Sequence, residues 1–267
     1  MIYDNLQIET TKAAAFCHSG QFNQGMFDWH VHRWPHLLYA VSGTMQVEVE
    51  DALWLLPPQR AAWIAAEVPH RTVCFAPTQF HAIFIDPQQF QAMLPTRVFA
   101  VTPLAREMIR YALRWGVERD PADEVANQFF RTLVMLCRQW MADELALRLP
   151  RPQSEPLQRV VNYILRELDV ADLAAAADLI AVSPRTLRRQ TQREMQITWR
   201  QFLHDARMMR AMELLAAGDH SVLEVALAVG YNSLSAFTKA FTSFTGENPS
   251  RYLARCVSVP SPLKSIG

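Results

Sequence analysis

The chain of 267 residues has room for two modest domains, each able to bury its own core without disulfides or a structural metal. Half the residues are hydrophobic, 19% are charged and 10% aromatic, which excludes a disordered chain, and no apolar run is long enough for a membrane span. The formal charge is zero, with 13 Lys and Arg against 16 Asp and Glu in residues 1–156 and 12 against 10 in residues 157–255, so charge alone does not announce a nucleic-acid partner.

Residues 1–15 contain no continuous hydrophobic segment of the kind a secretory signal needs, so a cytoplasmic location is expected. Cys17, Cys74, Cys137 and Cys256 form no C-x-x-C pair, which argues against a disulfide framework or a thiolate zinc site and suits a reducing compartment. Up to about residue 87 the pattern is that of short strands. Met45, Val47 and Val49 alternate with Gln46, Glu48 and Glu50 after a Ser42-Gly43 turn, and residues 80–85 form a short apolar run; strands of this kind between Gly and Pro turns predict a sandwich or barrel. His30 and His32 stand as H-x-H on a predicted strand, with both imidazoles on one face; His36 follows, and His70 closes a later run. Trp29, Trp34, Trp54 and Trp63 crowd the same segment, and most are expected to fill a core rather than wall a pocket. His81 lies on a strand where it could line that pocket, while His18, His204 and His220 have no evident partners.

From residue 103 the period changes to that of helices. Leu104, Met108, Tyr111 and Trp115 fall at helical spacing, then Val125, Phe129, Leu133, Leu136 and Trp140 after the break at Asp120-Pro121. Most of these side chains are expected to pack on their own strands, the other use being a second subunit. Between residues 149 and 156, Pro150, Pro152 and Pro156 cannot continue a helix, and a domain boundary is placed there. Residues 257–267 read as a frayed end.

The C-terminal half contains a duplication. Leu173, Ala177, Ala181 and Val182 recur 49 residues later as Val222, Ala226, Gly230 and Tyr231; beyond that turn the offset is 50, and Ser183, Leu187 and Thr191 correspond to Ser233, Phe237 and Phe241. Each copy predicts a helix, a tight turn and a second helix opened by an N-cap serine, with Pro184 at the first helical position of one. These are two helix-turn-helix units, joined by a helix over about residues 198–216. Arg185, Arg188, Arg189 and Gln192 share one face of the first copy's second helix, a stripe suited to guanine edges and phosphates in a major groove. The second copy presents Leu234, Ser235, Thr238 and Lys239, a less basic face suited to phosphate, apolar and hydroxyl contact. Joined rigidly, the two helices would enter major-groove segments about 34 Å apart.

The run from Gly230 to Phe237, followed by Phe241, Gly246, Pro249 and Tyr252, resembles the signature of the AraC/XylS family of transcription regulators. The resemblance covers roughly residues 157–255. It implies a DNA-binding domain with two helix-turn-helix units, usually preceded by an effector-binding or dimerising domain. Thr191 stands where the family usually has a core Phe, Gln196 where a Gly commonly follows the first unit, and Asn248 where Thr or Ser precedes the proline; the first two predict a slightly loosened first unit.

Over about residues 20–90, Gly25, His30, His32, His36 and Gly43, with Ala65, Glu67 and His70, resemble the two cupin motifs, with His36 in place of the usual carboxylate. The resemblance implies a barrel and a metal set of His30, His32, His36 and His70. Four neutral imidazoles suit zinc or nickel, then iron or copper, and not calcium or magnesium. The plainer alternative is that these histidines line an organic-effector pocket or hydrogen-bond within the barrel.

The expected fold class is α+β: a cupin-like β-barrel plus helices over residues 1–150, then an all-α domain with two helix-turn-helix units over residues 157–256. The leading expectation is a DNA-binding regulator whose barrel senses a small molecule or metal ion. Double-stranded DNA, the effector, RNA polymerase and a second copy of the chain are the candidate partners, with no membrane. The alternatives are a metal-dependent cupin enzyme with an accessory helical domain, which lacks an evident acid, base or nucleophile pair, and a regulator whose barrel serves only for dimerisation.

Overall fold

The computed structural model describes residues 11–23, 25–50, 52–57, 60–74, 77–142, 148–169 and 171–257; the predicted frayed end beyond residue 257 lies outside them. The chain divides into two units, Met1–Glu50 with Trp54–Leu147 and Asp51–Leu53 with Arg148–Gly267. No disulfide joins the four buried cysteines, and among the described residues no helix is long and apolar enough to cross a membrane.

Strands dominate the first part of the chain: β1 (Ala15–Phe22), β2 (Gly25–His30), β3 (His36–Ser42), β4 (Met45–Glu48), β5 (Ala52–Leu56), β6 (Arg60–Ile64), β7 (His70–Cys74) and β8 (Thr78–Ile85). They are followed by α1 (Pro87–Phe90), β9 (Arg97–Ala100), α2 (Pro103–Ala112) and α3 (Glu124–Trp140). One sheet runs β1-β8-β3-β6-β9 and the other, within this unit, β5-β4-β7-β2. Antiparallel pairing sets His36 beside Phe84 and Ile64 in the first sheet and His30 opposite His70 in the second. Because side chains alternate along a strand, Leu37, Tyr39, Trp63, Ile83 and Ile85 pack with the helices, while His36 and Phe84 lie on the opposite face. The predicted alternation in β4 does not leave a wet face: Gln46 and Glu48 are buried with Met45 and Val47. The Glu48 carboxylate accepts hydrogen bonds from Gln46 Nε2 at 2.6 Å and from Arg71 at 2.9 Å, which offsets the cost of burying it.

The helices form where the period predicts, and Trp115 and Leu133 of the predicted stripe are buried, but the rest of the buried face comes from a neighbouring stripe. Leu104, Tyr111 and Val125 are 56%, 49% and 68% exposed, whereas Ala105, Ile109 and Ala112 of α2 and Ala126, Phe130, Val134 and Cys137 of α3 are buried. Both stripes are apolar at helical spacing. The small alanines of the second let the helix axes come close to the sheet, and packing selects it.

The second unit holds β10 (Arg148–Pro150), α4 (Glu155–Arg166), α5 (Leu173–Asp178), α6 (Pro184–Met195), α7 (Trp199–Ala217), α8 (Val222–Ala228), α9 (Leu234–Thr245) and α10 (Pro249–Val257). The duplication is present bond for bond at the turns. Val182 N–H donates to Ala177 O at 3.1 Å, and Tyr231 N–H to Ala226 O at 2.9 Å. The residue before each donor is left-handed, Ala181 at φ 52° and Gly230 at φ 78°, as a helix ending of this type requires. The two copies share α7, whose Phe202, Ala206, Met209 and Leu215 are buried. His204 on that helix pairs through Nδ1 with the Tyr231 hydroxyl at 3.3 Å, a partner the sequence did not reveal.

Candidate functional site

In α6 the Ser183 hydroxyl accepts the Thr186 N–H at 3.1 Å and Pro184 occupies the first turn, where its missing N–H costs nothing. Leu187, Thr191 and Met195 are buried, so the helix is held by one stripe and presents the other. Thr191 keeps its core position by donating its hydroxyl to Leu187 O at 2.9 Å. Gln196 takes the left-handed conformation at φ 59° that a glycine would adopt without strain.

Arg185, Arg188, Arg189 and Gln192 line a groove of about 620 Å³, together with Thr186 and with Thr198, Trp199 and Arg200 of α7. Among the described residues no Asp or Glu lines it, and none of its four arginines makes an ion pair. Sequence reasoning identified the α6 stripe but missed the α7 residues, because periodicity along one helix says nothing of what the next helix adds. In the second copy, Leu234, Ser235, Thr238 and Lys239 line a groove of about 820 Å³ with Thr242 and Ser243. Ser233 caps this helix through Ala236 N–H at 3.3 Å, and Phe237 and Phe241 are buried beneath the exposed face. The two grooves thus differ as the sequence suggests, one lined by four cations and the other by one.

The histidines gather in the first unit. His30 ends β2, His36 begins β3 and His70 begins β7. His32 lies two residues beyond the end of β2, not on the predicted strand. Ligand atoms of His30, His32 and His70 lie within 4.8 Å of one another. His36 stands beside this group, its ring centroid 4.8 Å from that of His32 and 5.2 Å from that of His70, stacked on Phe84 at 5.1 Å. The Nδ1 atoms of His30, His32 and His70 meet the main-chain carbonyls of Asp28, Trp34 and Val68 at 2.7, 2.6 and 2.8 Å. Nε2 of His70 and both ring nitrogens of His36 are buried without a hydrogen-bond partner. Burial pushes every one of these imidazoles down, His32 to about 4, His70 to about 3, and His36 well below the ordinary value, so all are neutral near pH 7.

His81 does not line this site. It lies an odd number of residues from Phe84 on β8, hence on the other face, where its Nδ1 pairs with the Ser19 hydroxyl at 3.0 Å. Trp34, Trp54 and Trp63 are buried as core, while Trp29 remains 38% exposed with the Arg71 guanidinium 5.5 Å from its ring.

The family model for a helix-turn-helix domain matches residues 173–255. The chain is 30% identical over 255 residues to the HTH-type transcriptional regulator NimR of Escherichia coli (strain K12), which spans 92% of this chain and 89% of that protein. It is 35% identical over 120 residues to the ornithine utilization regulator of Pseudomonas aeruginosa, covering 45% of this chain and 34% of the relative. A solved structure of the DNA-binding domain of AdpA in complex with a target DNA is 32% identical, with a TM-score of 0.36, over 38% of this chain and 93% of that one. The relatives are regulators, and the enzyme alternative gives way. Matched along nearly its whole length by such a protein, the chain belongs to the AraC/XylS family of transcriptional regulators and carries a DNA-binding helix-turn-helix domain.

Proposed function

We propose that this regulator reads a specific operator through α6 and α9, and that its two-sheet unit senses a transition-metal ion through His30, His32 and His70 with His36 beside them. On this reading Arg185, Arg188, Arg189 and Gln192 contact base edges and phosphates in one major-groove segment, while Leu234, Ser235, Thr238 and Lys239 contact the next, with Lys239 on a phosphate. The observation that carries the sensor reading is the carbonyl held at each of three Nδ1 atoms. Such a bond sets the proton on Nδ1 and leaves the lone pair of Nε2 available to an ion, the arrangement that metal-ligating histidines use. Burial keeps the rings unprotonated, and an all-imidazole set favours zinc or nickel, then iron or copper, over hard cations.

When bound, a divalent ion would supply the only formal charge among four neutral rings. It changes DNA affinity to the extent that it binds one state of the protein more tightly than another, since equal affinity for both shifts nothing. The test is elemental analysis of purified, untagged protein beside His30→Ala and His70→Ala variants, with operator affinity measured on each at fixed salt. Near-stoichiometric metal lost in both variants, with altered DNA affinity, is the expected result. No metal in any sample after loading with zinc and nickel overturns the sensor reading and leaves the DNA reading intact.

A further inference from the structure

We infer that Arg200, the second residue of α7, anchors a DNA phosphate beside the recognition helix; this rests on the reading that α6 faces DNA. Arg200 is outside the α6 stripe, yet its side chain lines the same groove as Arg185, Arg188 and Arg189. Its base is rigid. The Thr198 hydroxyl accepts the Gln201 N–H at 3.1 Å, and Trp199, next to it, is buried at 8% exposure, so the first turn of α7 is fixed from both sides. Arg200 itself is exposed and, among the described residues, makes no ion pair or side-chain hydrogen bond.

Four guanidiniums in one groove with no carboxylate among its described lining residues repel one another unless an anion joins them. When a recognition helix lies in a major groove, the neighbouring elements meet the sugar–phosphate backbone that flanks it. Arg200 is so placed by being on the next helix, and its planar fork matches two phosphate oxygens. The duplication supplies an internal control. Trp199 and Phe202 correspond to Pro249 and Tyr252, and the position equivalent to Arg200 is Ser250. Among the described residues no α10 side chain lines the α9 groove, so the anchor is argued for the first copy alone.

The experiment measures the binding of the full chain to two duplexes across a salt series: one selected by the wild-type protein from a random-core library, and a shuffled version of it. For Arg200→Ala the slope of log K against log[salt] is expected to become shallower by about 0.9 on both duplexes, with the preference for the selected duplex unchanged; Arg200→Lys, which keeps the charge, should retain the wild-type slope. Ser250→Arg should steepen it by about the same amount. An Arg200→Ala variant that keeps the wild-type slope, or that changes the preference between duplexes, overturns the anchor. Arg188→Ala is run alongside. If it lowers the preference while the Arg200→Ala slope does not move, the anchor alone fails; if it alters neither slope nor preference, the reading of α6 beneath it fails.

Discussion

In the second helix-turn-helix copy both left-handed positions are glycine, Gly230 at φ 78° and Gly246 at φ 79°, and α9 turns the fully buried Phe237 and Phe241 inward. In the first copy the same positions are Ala181 at φ 52° and Gln196 at φ 59°, and α6 rests on Leu187 and the small, hydroxyl-bearing Thr191. A β-carbon in the left-handed region costs roughly 1–2 kcal/mol, and exchanging Phe for Thr gives up buried apolar contact. The copy that carries the guanidinium stripe is the one with β-carbons at its left-handed positions and Thr191 in place of Phe. The two copies share their serine caps and left-handed turns and differ in both their inward and their outward side chains.

The largest effect expected from breaking this comparison lies in the core. Phe241→Ala should lower the stability of the full chain by about 3–5 kcal/mol, whereas Thr191→Ala at the equivalent place should cost about 1 kcal/mol, for one hydroxyl bond and one methyl group. Urea unfolding followed by circular dichroism measures both, and equal losses would show that the two copies are framed alike. Next comes the surface. Arg188→Ala should cost about 1–3 kcal/mol of specific binding and relax one base pair, while Lys239→Ala should weaken all duplexes alike. A uniform loss for Arg188→Ala would make it a phosphate contact and remove the contrast between the faces. The smallest effect concerns the backbone. Gln196→Gly should stabilise by about 1 kcal/mol, and Gly246→Gln, where a β-carbon meets no neighbour within 4 Å, should destabilise by about the same. Thermal melts of the two variants moving in the same direction would refute the conformational account.

The double motif was legible because its signals are local. N-cap serines, Pro184, the spacing of Leu187 and Thr191, and a 49-to-50-residue repeat all act within a few turns of one helix. The sheet unit was legible in outline only. Of the predicted stripe Trp115 and Leu133 are buried, but Leu104, Tyr111 and Val125 are exposed and the neighbouring Ala105, Ile109 and Ala126 are buried, because two apolar stripes satisfy the same period and the docking surface sets how the helix is turned. The four histidines were found through their resemblance to known motifs, but their arrangement was not: β2 ends at His30 and the approach of His32 to His70 depends on the pairing of β2 with β7.

By itself, then, the amino-acid order determined the elements whose pattern is periodic and short in range: the strands before residue 87, the paired helix-turn-helix units, and the stripe from Arg185 to Gln192. Tertiary structure alone decided how closely His30, His32, His36 and His70 approach one another, and that Arg200 joins a groove begun by another helix. These outcomes depend on contacts between residues far apart in sequence or on different elements, and no local periodicity encodes where a second element will lie once the core has packed.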